Sequence, residues 1–317
     1  MRALIFGSGG LLGQPLVREL ERRGVERLGL DHAAADITDR ARVTDAVRSF
    51  RPDVIFNCAA YTKVDDCEEQ QALAHEVNGR AVGYLAAAAR AASAVLVHVS
   101  TDFVFDGAAR LPYLEESRTG PLQVYGQSKL EGEREALEWE RSIVVRTSWL
   151  FGTGAPSFVA TIVRLLTRPA PVRVVDDQIG CPTYAPFLAR ALIALAERGA
   201  RGIVHYRNEG PVSWHAFAVE IARRVAPGRE IAAVSTPEFY GESRQGSTPE
   251  RSLASPPGAV SPEKPRPARR PAYSVLDVER YETIVGRPVE PWRSGLDECL
   301  PAIATVRAES GDPGRGR

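Results

Sequence analysis

The sequence carries no excess charge of either sign: 40 lysines and arginines stand against 40 aspartates and glutamates. Local basic spots aside, such a chain has no overall field to recruit nucleic acid or an anionic membrane, so neither is expected as a partner. Cysteine is scarce. Cys58, Cys67, Cys181 and Cys299 show neither C-x-x-C spacing nor the density of a secreted disulfide scaffold, and they read as reduced thiols of a cytoplasmic protein. No apolar run reaches the length of a membrane span, and a strand-like run begins at Arg2, leaving no room for a signal peptide. The five histidines, His32, His75, His98, His205 and His215, lack any ligand spacing such as H-E-x-x-H, so satisfied or exposed imidazoles are expected and no metal site. The sequence also lacks an internal repeat.

What is present is an ordinary globular composition. The 317 residues are 44% hydrophobic and 25% charged, which allows a sizeable core in one large or two unequal domains. The first thirteen residues organise the rest. Arg2 to Phe6 is a short apolar run, and Gly7-Ser-Gly-Gly10-Leu11-Leu12-Gly13 opens onto a helical pattern through Leu16, Val17 and Leu20. A glycine-rich strand-to-helix turn lets backbone approach a pyrophosphate, and the helix dipole meets its charge. The spacing G-x-x-G-x-x-G differs from the commonest dehydrogenase fingerprint, and a plain turn reads the same way locally. A second strand, Arg27 to Leu30, ends in Asp31, where an acid suits the adenosine ribose 2′-hydroxyl.

Strand and helix then alternate, which implies a parallel sheet. A helix is expected over 39–50, strands over 53–57 and 94–99, a long helix over 69–91, another over 123–140 and a fifth strand over 142–146. Ala59, Ala60 and Tyr61 lie just past the third strand, where ligands gather in an open α/β sheet. The fold expected is a Rossmann-type doubly wound parallel sheet over residues 1–150 with a smaller, mainly helical substrate-binding part over 151–308. Short strands near 172–180 and 202–207 are expected to return to the sheet, and Ser213 to cap a helix running to Val225. Residues 241–270 are rich in Pro, Ser, Gly and charge, and read as an insertion, either a lid or a solvated loop, while 309–317 read as a frayed tail.

The chemistry concentrates in Tyr125-Gly-Gln-Ser-Lys129. Tyrosine and lysine four apart share a helix face, so the ammonium is expected to lower the phenol pKa, and Thr101 at a strand end can bond the same reacting oxygen. Such a group polarises a carbonyl and protonates it while a nicotinamide delivers hydride. Elsewhere Y-x-x-x-K is common on helix surfaces; its place after the fourth strand of a glycine-turn chain favours catalysis.

On these motifs, together with Arg51 to Asn57, Ala59 to Asp65, Ser100-Thr-Asp-Phe-Val-Phe-Asp-Gly107, Arg146-Thr-Ser-Trp149, Asp177 to Thr183 and Arg270 to Asp277, the chain resembles the dTDP-4-dehydrorhamnose reductase family of the extended short-chain dehydrogenase/reductase superfamily. The resemblance covers nearly all of the chain. It implies reduction by NADH or NADPH of a dTDP-linked 4-keto-6-deoxy sugar, giving dTDP-L-rhamnose. Tyr125 would donate the proton, Lys129 would hold the nicotinamide ribose, and Thr101, Asp102 and Trp149 would contact the sugar. Gly10, Leu11 and Leu12, within the Gly7 to Gly13 turn, would meet the pyrophosphate, Asp31 the adenosine ribose, Asp36 and Ile37 the adenine, and Ala59, Ala60 and Tyr61 the ribose side. A tryptophan at a strand end also fills cores, so Trp149 keeps that alternative.

Two departures stand out. Phe103 takes the place where related dehydratases carry glutamate, which disfavours dehydration, and where many reductases carry tyrosine. Gln14 and Pro15 stand where some members use a glutamate for magnesium at a dimer interface, so no metal is expected and the oligomeric state, monomer or homodimer, stays open. A sister dTDP-sugar 4-ketoreductase or dihydrostreptose-type synthase would keep every motif, and a non-catalytic NAD(P)-binding regulatory subunit is the alternative from another class.

Overall fold

The computed structural model describes residues 1–241 and 267–309, and the side chains among these as far as residue 304. The chain begins with β1 (Arg2–Phe6), α1 (Gly13–Arg22), β2 (Glu26–Leu30), α2 (Arg40–Phe50) and β3 (Val54–Asn57). It continues through α3 (Val64–Glu69), α4 (Gln71–His75), α5 (Ala81–Ala91), β4 (Val95–Thr101), α6 (Val124–Leu137) and β5 (Ser142–Thr147). Asp39 caps α2, its carboxylate accepting the Ala41 and Arg42 N–H groups, which is the usual reason for an aspartate at that position. The single helix expected over 69–91 is instead broken. It starts at Val64, stops at Gln70, and carries a π-helical turn over Glu76–Arg80 between α4 and α5. Alanine-rich periodicity reports a helix but not a one-residue bulge, and such bulges concentrate at functional sites.

Six parallel strands form the main sheet in the order β10-β5-β4-β3-β1-β2, with β10 spanning Gly202–His205. Order reverses between β1 and β3, so their carboxyl ends frame the crevice where ligands bind in such sheets. Both faces are covered. In β1, Ala3 and Ile5 join one core with α1, while Leu4 and Phe6 join the other with α2 and α5, so alternate residues of one strand feed two cores.

The later part follows β6 (Leu150–Phe151), α7 (Phe158–Leu166), β7 (Val172–Val175), β8 (Ile179–Gly180), β9 (Thr183–Tyr184) and α8 (Ala185–Glu197) up to β10. Then come β11 (Val212–Ser213), α9 (Trp214–Val225), β12 (Ile231–Val234), α10 (Thr236–Tyr240), α11 (Glu279–Val285) and α12 (Trp292–Glu309). Of the two late strands expected to rejoin the main sheet, only β10 does so. The strand over 172–175 pairs with β12 and that at 179–180 with β11, while β10 takes the edge beside β5; strands this short carry no sequence record of which partner they will take. Ser213 caps α9 as expected, accepting the Ala216 N–H at 3.0 Å. Phe158, Trp214, Phe217 and Trp292 extend the core that covers one face of the main sheet, so the two parts share one apolar interior.

Most of the expected insertion, 242–266, and the tail from 310 lie outside the described residues. The insertion's last residues are bound tightly: Arg270 makes two bonds of 2.9 Å to the Asp65 carboxylate, and Ala268 N–H adds a third. The end of the insertion is thus anchored four residues past Tyr61.

Candidate active site

The glycine turn is a cradle with no room for side chains. Gly7 has φ +77°, and a Cβ there would lie 2.6 Å from Ala59 N; at Gly13 it would lie 2.1 Å from Gly7 O. Helix α1 begins without a side-chain cap, which leaves its first N–H groups, near Leu11, Leu12 and Gly13, for an anion. Gly10 N–H closes the turn on Gly7 O. Asp31 stands beside it, since a Cβ on Gly9 would be 3.5 Å from that of Asp31. The Asp31 carboxylate accepts Ala34 N–H at 2.9 Å, and Asp36, bonded to Thr38, leads into buried Ile37. These features fit a dinucleotide: a pyrophosphate cradle, then an acid, then a small buried wall.

Across the switch point, Ala59 N–H bonds Asn57 Oδ1 at 3.2 Å and Tyr61 N–H bonds Asn78 Oδ1 at 2.8 Å. Asn78 lies in the π-helical turn and also donates to Tyr61 O and to Ser128 Oγ, so one buried amide ties the Ala59 to Tyr61 segment to α6. The sequence reading missed Asn78; only the bulge reveals it.

Thr101 ends β4, and Asp102 follows in a single 3-10 turn. The Thr101 hydroxyl donates to Asp102 Oδ1 at 3.1 Å, accepts Phe103 N–H, and is near enough to the Tyr125 phenol to influence its acidity. Tyr125 is half-buried, its ring edge-on to Phe103 at 6.0 Å. Burial pushes the phenol above its ordinary range, the Asp102 carboxyl adds to this, and the Thr101 hydroxyl opposes it. The shift is opposite to the one expected from a neighbouring lysine. Burial is the main reason, and Lys129 does not counter it: its Nζ donates to Val99 O at 2.7 Å and lies 3.4 Å from His98 Nε2. Burial also brings Lys129 down to about 8.

Asp102 is 2% exposed, and burial raises its carboxyl to about 7 against bonds from Ser274 and Thr101 that pull it down; Oδ2 has no partner. Opposite, Trp149 has φ +46°, a backbone region bulky residues rarely adopt. Its indole stacks on Trp214 at 3.5 Å with the rings 4° apart, and a Cβ on Gly180 would come within 2.5 Å of it. Trp149 is thus gripped by Trp214 and Gly180 and is half-buried, packed against the core. Among the described residues no cluster of three or more His, Cys, Asp or Glu side chains has the arrangement to hold a metal ion.

Thr101, Asp102, Tyr125 and Lys129 therefore meet at the carboxyl end of the sheet beside the glycine turn, which is the layout of a carbonyl reductase. Residues 1–305 match the family model described as the RmlD substrate binding domain. The chain belongs to this family. A dTDP-4-dehydrorhamnose reductase of Streptomyces griseus is 42% identical, covering 95% of this chain and 94% of that protein. A probable dTDP-4,6-dihydroxy-2-methyloxan-3-one 4-ketoreductase of Streptomyces antibioticus is 37% identical, with 96% of each covered. Among solved structures, a dTDP-4-dehydrorhamnose reductase from Bacillus anthracis in complex with NADP is 32% identical, with a TM-score of 0.83 over 95% of this chain and 99% of that one. Family membership settles the fold as Rossmann-like with a smaller carboxyl-terminal part.

Proposed function

We propose that the protein reduces the 4-keto group of dTDP-4-dehydro-β-L-rhamnose to give dTDP-L-rhamnose, using NADH or NADPH, in the cytoplasm. The observation that carries this reading is the Thr101 hydroxyl and Tyr125 phenol set together, with a glycine cradle on the same chain and Phe103 where a dehydratase would need an acid. When bound, the nicotinamide supplies the hydride that reduces the sugar carbonyl carbon. Tyr125, its phenol held above the ordinary range, stays protonated at neutral pH and gives that proton to the carbonyl oxygen as an alkoxide develops. Thr101 bonds the same oxygen, and Trp149 and Asp102 orient the sugar. Lys129 engages the nicotinamide ribose. Leu11, Leu12 and Gly13 meet the pyrophosphate, and Asp31 the adenosine ribose. A carboxylate there favours a free 2′-hydroxyl, whereas the Bacillus anthracis relative holds NADP, so both carriers remain in the proposal.

The relative from Streptomyces antibioticus gives a second reading a specific basis: a sister ketoreductase for another dTDP-sugar would share every residue named here. The deciding assay couples the protein to dTDP-4-keto-6-deoxyglucose, a 3,5-epimerase and NADH or NADPH, with the product identified by NMR. A rhamnosyl product establishes the leading reading, and another deoxysugar establishes the sister. Tight NAD(P)H binding without consumption by any dTDP-keto sugar would leave a regulatory subunit.

A further inference from the structure

Beneath Tyr125 and Lys129 runs a row of buried polar side chains that the proposed reaction does not use. His98 is fully buried in β4. Its Nδ1 lies 3.0 Å from Nδ2 of Asn57, the last residue of β3, and its Nε2 lies 3.4 Å from Nζ of Lys129. Donors and acceptors along this row are fixed from one end. Asn57 Oδ1 accepts Ala59 N–H, so the amide nitrogen is the atom turned to His98, and an amide nitrogen only donates. Nδ1 must then accept. A neutral imidazole that accepts at Nδ1 carries its hydrogen on Nε2, which faces Lys129.

An ammonium there opposes one donor with another. A free amine does not, because its lone pair can accept Nε2–H while its own N–H bonds Val99 O at 2.7 Å. We propose that His98, oriented by Asn57, is a positioning residue that holds Lys129 at the back of the site and favours its free amine, so that the lysine takes up its proton on turning toward the nicotinamide ribose. The inference rests on the reading that Lys129 serves the cofactor and Tyr125.

The other groups facing Lys129 do not supply this effect. Glu133, one turn on along α6, favours the ammonium, but both of its oxygens are bound by Arg146. Cys58, just past β3, is a thiol that burial pushes up to about 12. Burial drives His98 itself well below its ordinary range, which matches an imidazole kept neutral.

The chain holds only three lysines, Lys63, Lys129 and Lys264, so ¹³Cε-lysine NMR of the full-length protein resolves the titration of each. The Lys129 signal is assigned by its loss in Lys129→Arg. In the wild type it is expected to titrate at about 8. His98→Gln can offer Lys129 a carbonyl oxygen, and Asn57→Leu frees Nδ1 so that the imidazole can turn an acceptor to Lys129 without any change in a residue touching it. Both variants are expected to move the midpoint up by about one unit or more, roughly a tenfold change in the protonation equilibrium. The alkaline limb of kcat/KM should move with it. A midpoint unchanged in both variants, or near 10 in the wild type, overturns the role of His98. A shifted midpoint with an unmoved limb leaves His98 in place and removes Lys129 from the proposed chemistry instead.

Discussion

Glu133 and Asp102 are carboxylates buried to nearly the same depth, 1% and 2% exposed, on the two elements that build the site, yet their surroundings differ completely. Glu133 receives Arg146 on both oxygens, at 2.8 and 2.7 Å, and the Ser100 hydroxyl at 2.5 Å. Among the described residues Asp102 has no salt-bridge partner, and one of its oxygens has no hydrogen-bond partner. Depth alone therefore does not decide what a buried acid does. An acid paired with a cation is a strut between α6, β4 and β5, and one without a cation and with an unpartnered oxygen is left able to change its protonation near neutral pH.

The largest expected effect tests the unpartnered side. Tyr125→Phe removes the proton beside Asp102 and should lower single-turnover NAD(P)H oxidation by roughly two to four orders of magnitude with cofactor affinity kept. Turnover near that of the wild type would take the phenol out of the reaction. On the partnered side, Glu133→Ala strands the Arg146 guanidinium and should cost about 3–5 kcal/mol in urea unfolding, whereas Glu133→Leu with Arg146→Met should recover most of it. An equal loss in both would mean that the pair does more than cancel its own charges.

A third change probes shape instead of charge. Gly180→Ala sets a methyl 2.5 Å from the Trp149 ring, and overpacking on this scale costs about 1–3 kcal/mol, read here as a raised KM for the sugar with kcat less affected. An unaltered KM would show that Trp149 does not bind the sugar. A fourth test concerns pH. The Asp102 carboxyl is raised above its unfolded value, so its contribution to stability is present below about pH 4 and is lost as pH rises toward about 7. Asp102→Asn should flatten the fall in Tm across that window. A parallel fall in both proteins would assign the window to other groups.

The difference between these two acids also marks what the sequence makes legible. Alternating apolar runs and glycine turns report local geometry, so the strands of the main sheet, the Ser213 cap and the Tyr125 to Lys129 spacing can be read directly. Glu133 and Arg146 are thirteen residues apart on different elements, and nothing local joins them. The grip of Gly180 and Trp214 on Trp149 and the buried His98 are equally non-local. The pairing of β7 with β12 escaped for the same reason: a four-residue strand carries no record of its partner. The downward shift expected for Tyr125 failed on direction rather than identity, because spacing puts Lys129 on the right helix face without saying which carbonyl its tip will choose.

The strand order has a consequence for how the protein is made. β10 closes the sheet beside β5, and β5 lies next to the strand that ends in Thr101. During synthesis the segment Ser142–Thr147 emerges well before Gly202–His205, and at about 5–20 residues per second that interval lasts for several seconds. Throughout it Ile143 to Val145 offer an apolar strand edge with no neighbour, the kind of surface on which nascent chains stick to one another. The nascent half already carries Tyr125 and Lys129, yet its safety depends on residues still inside the ribosome.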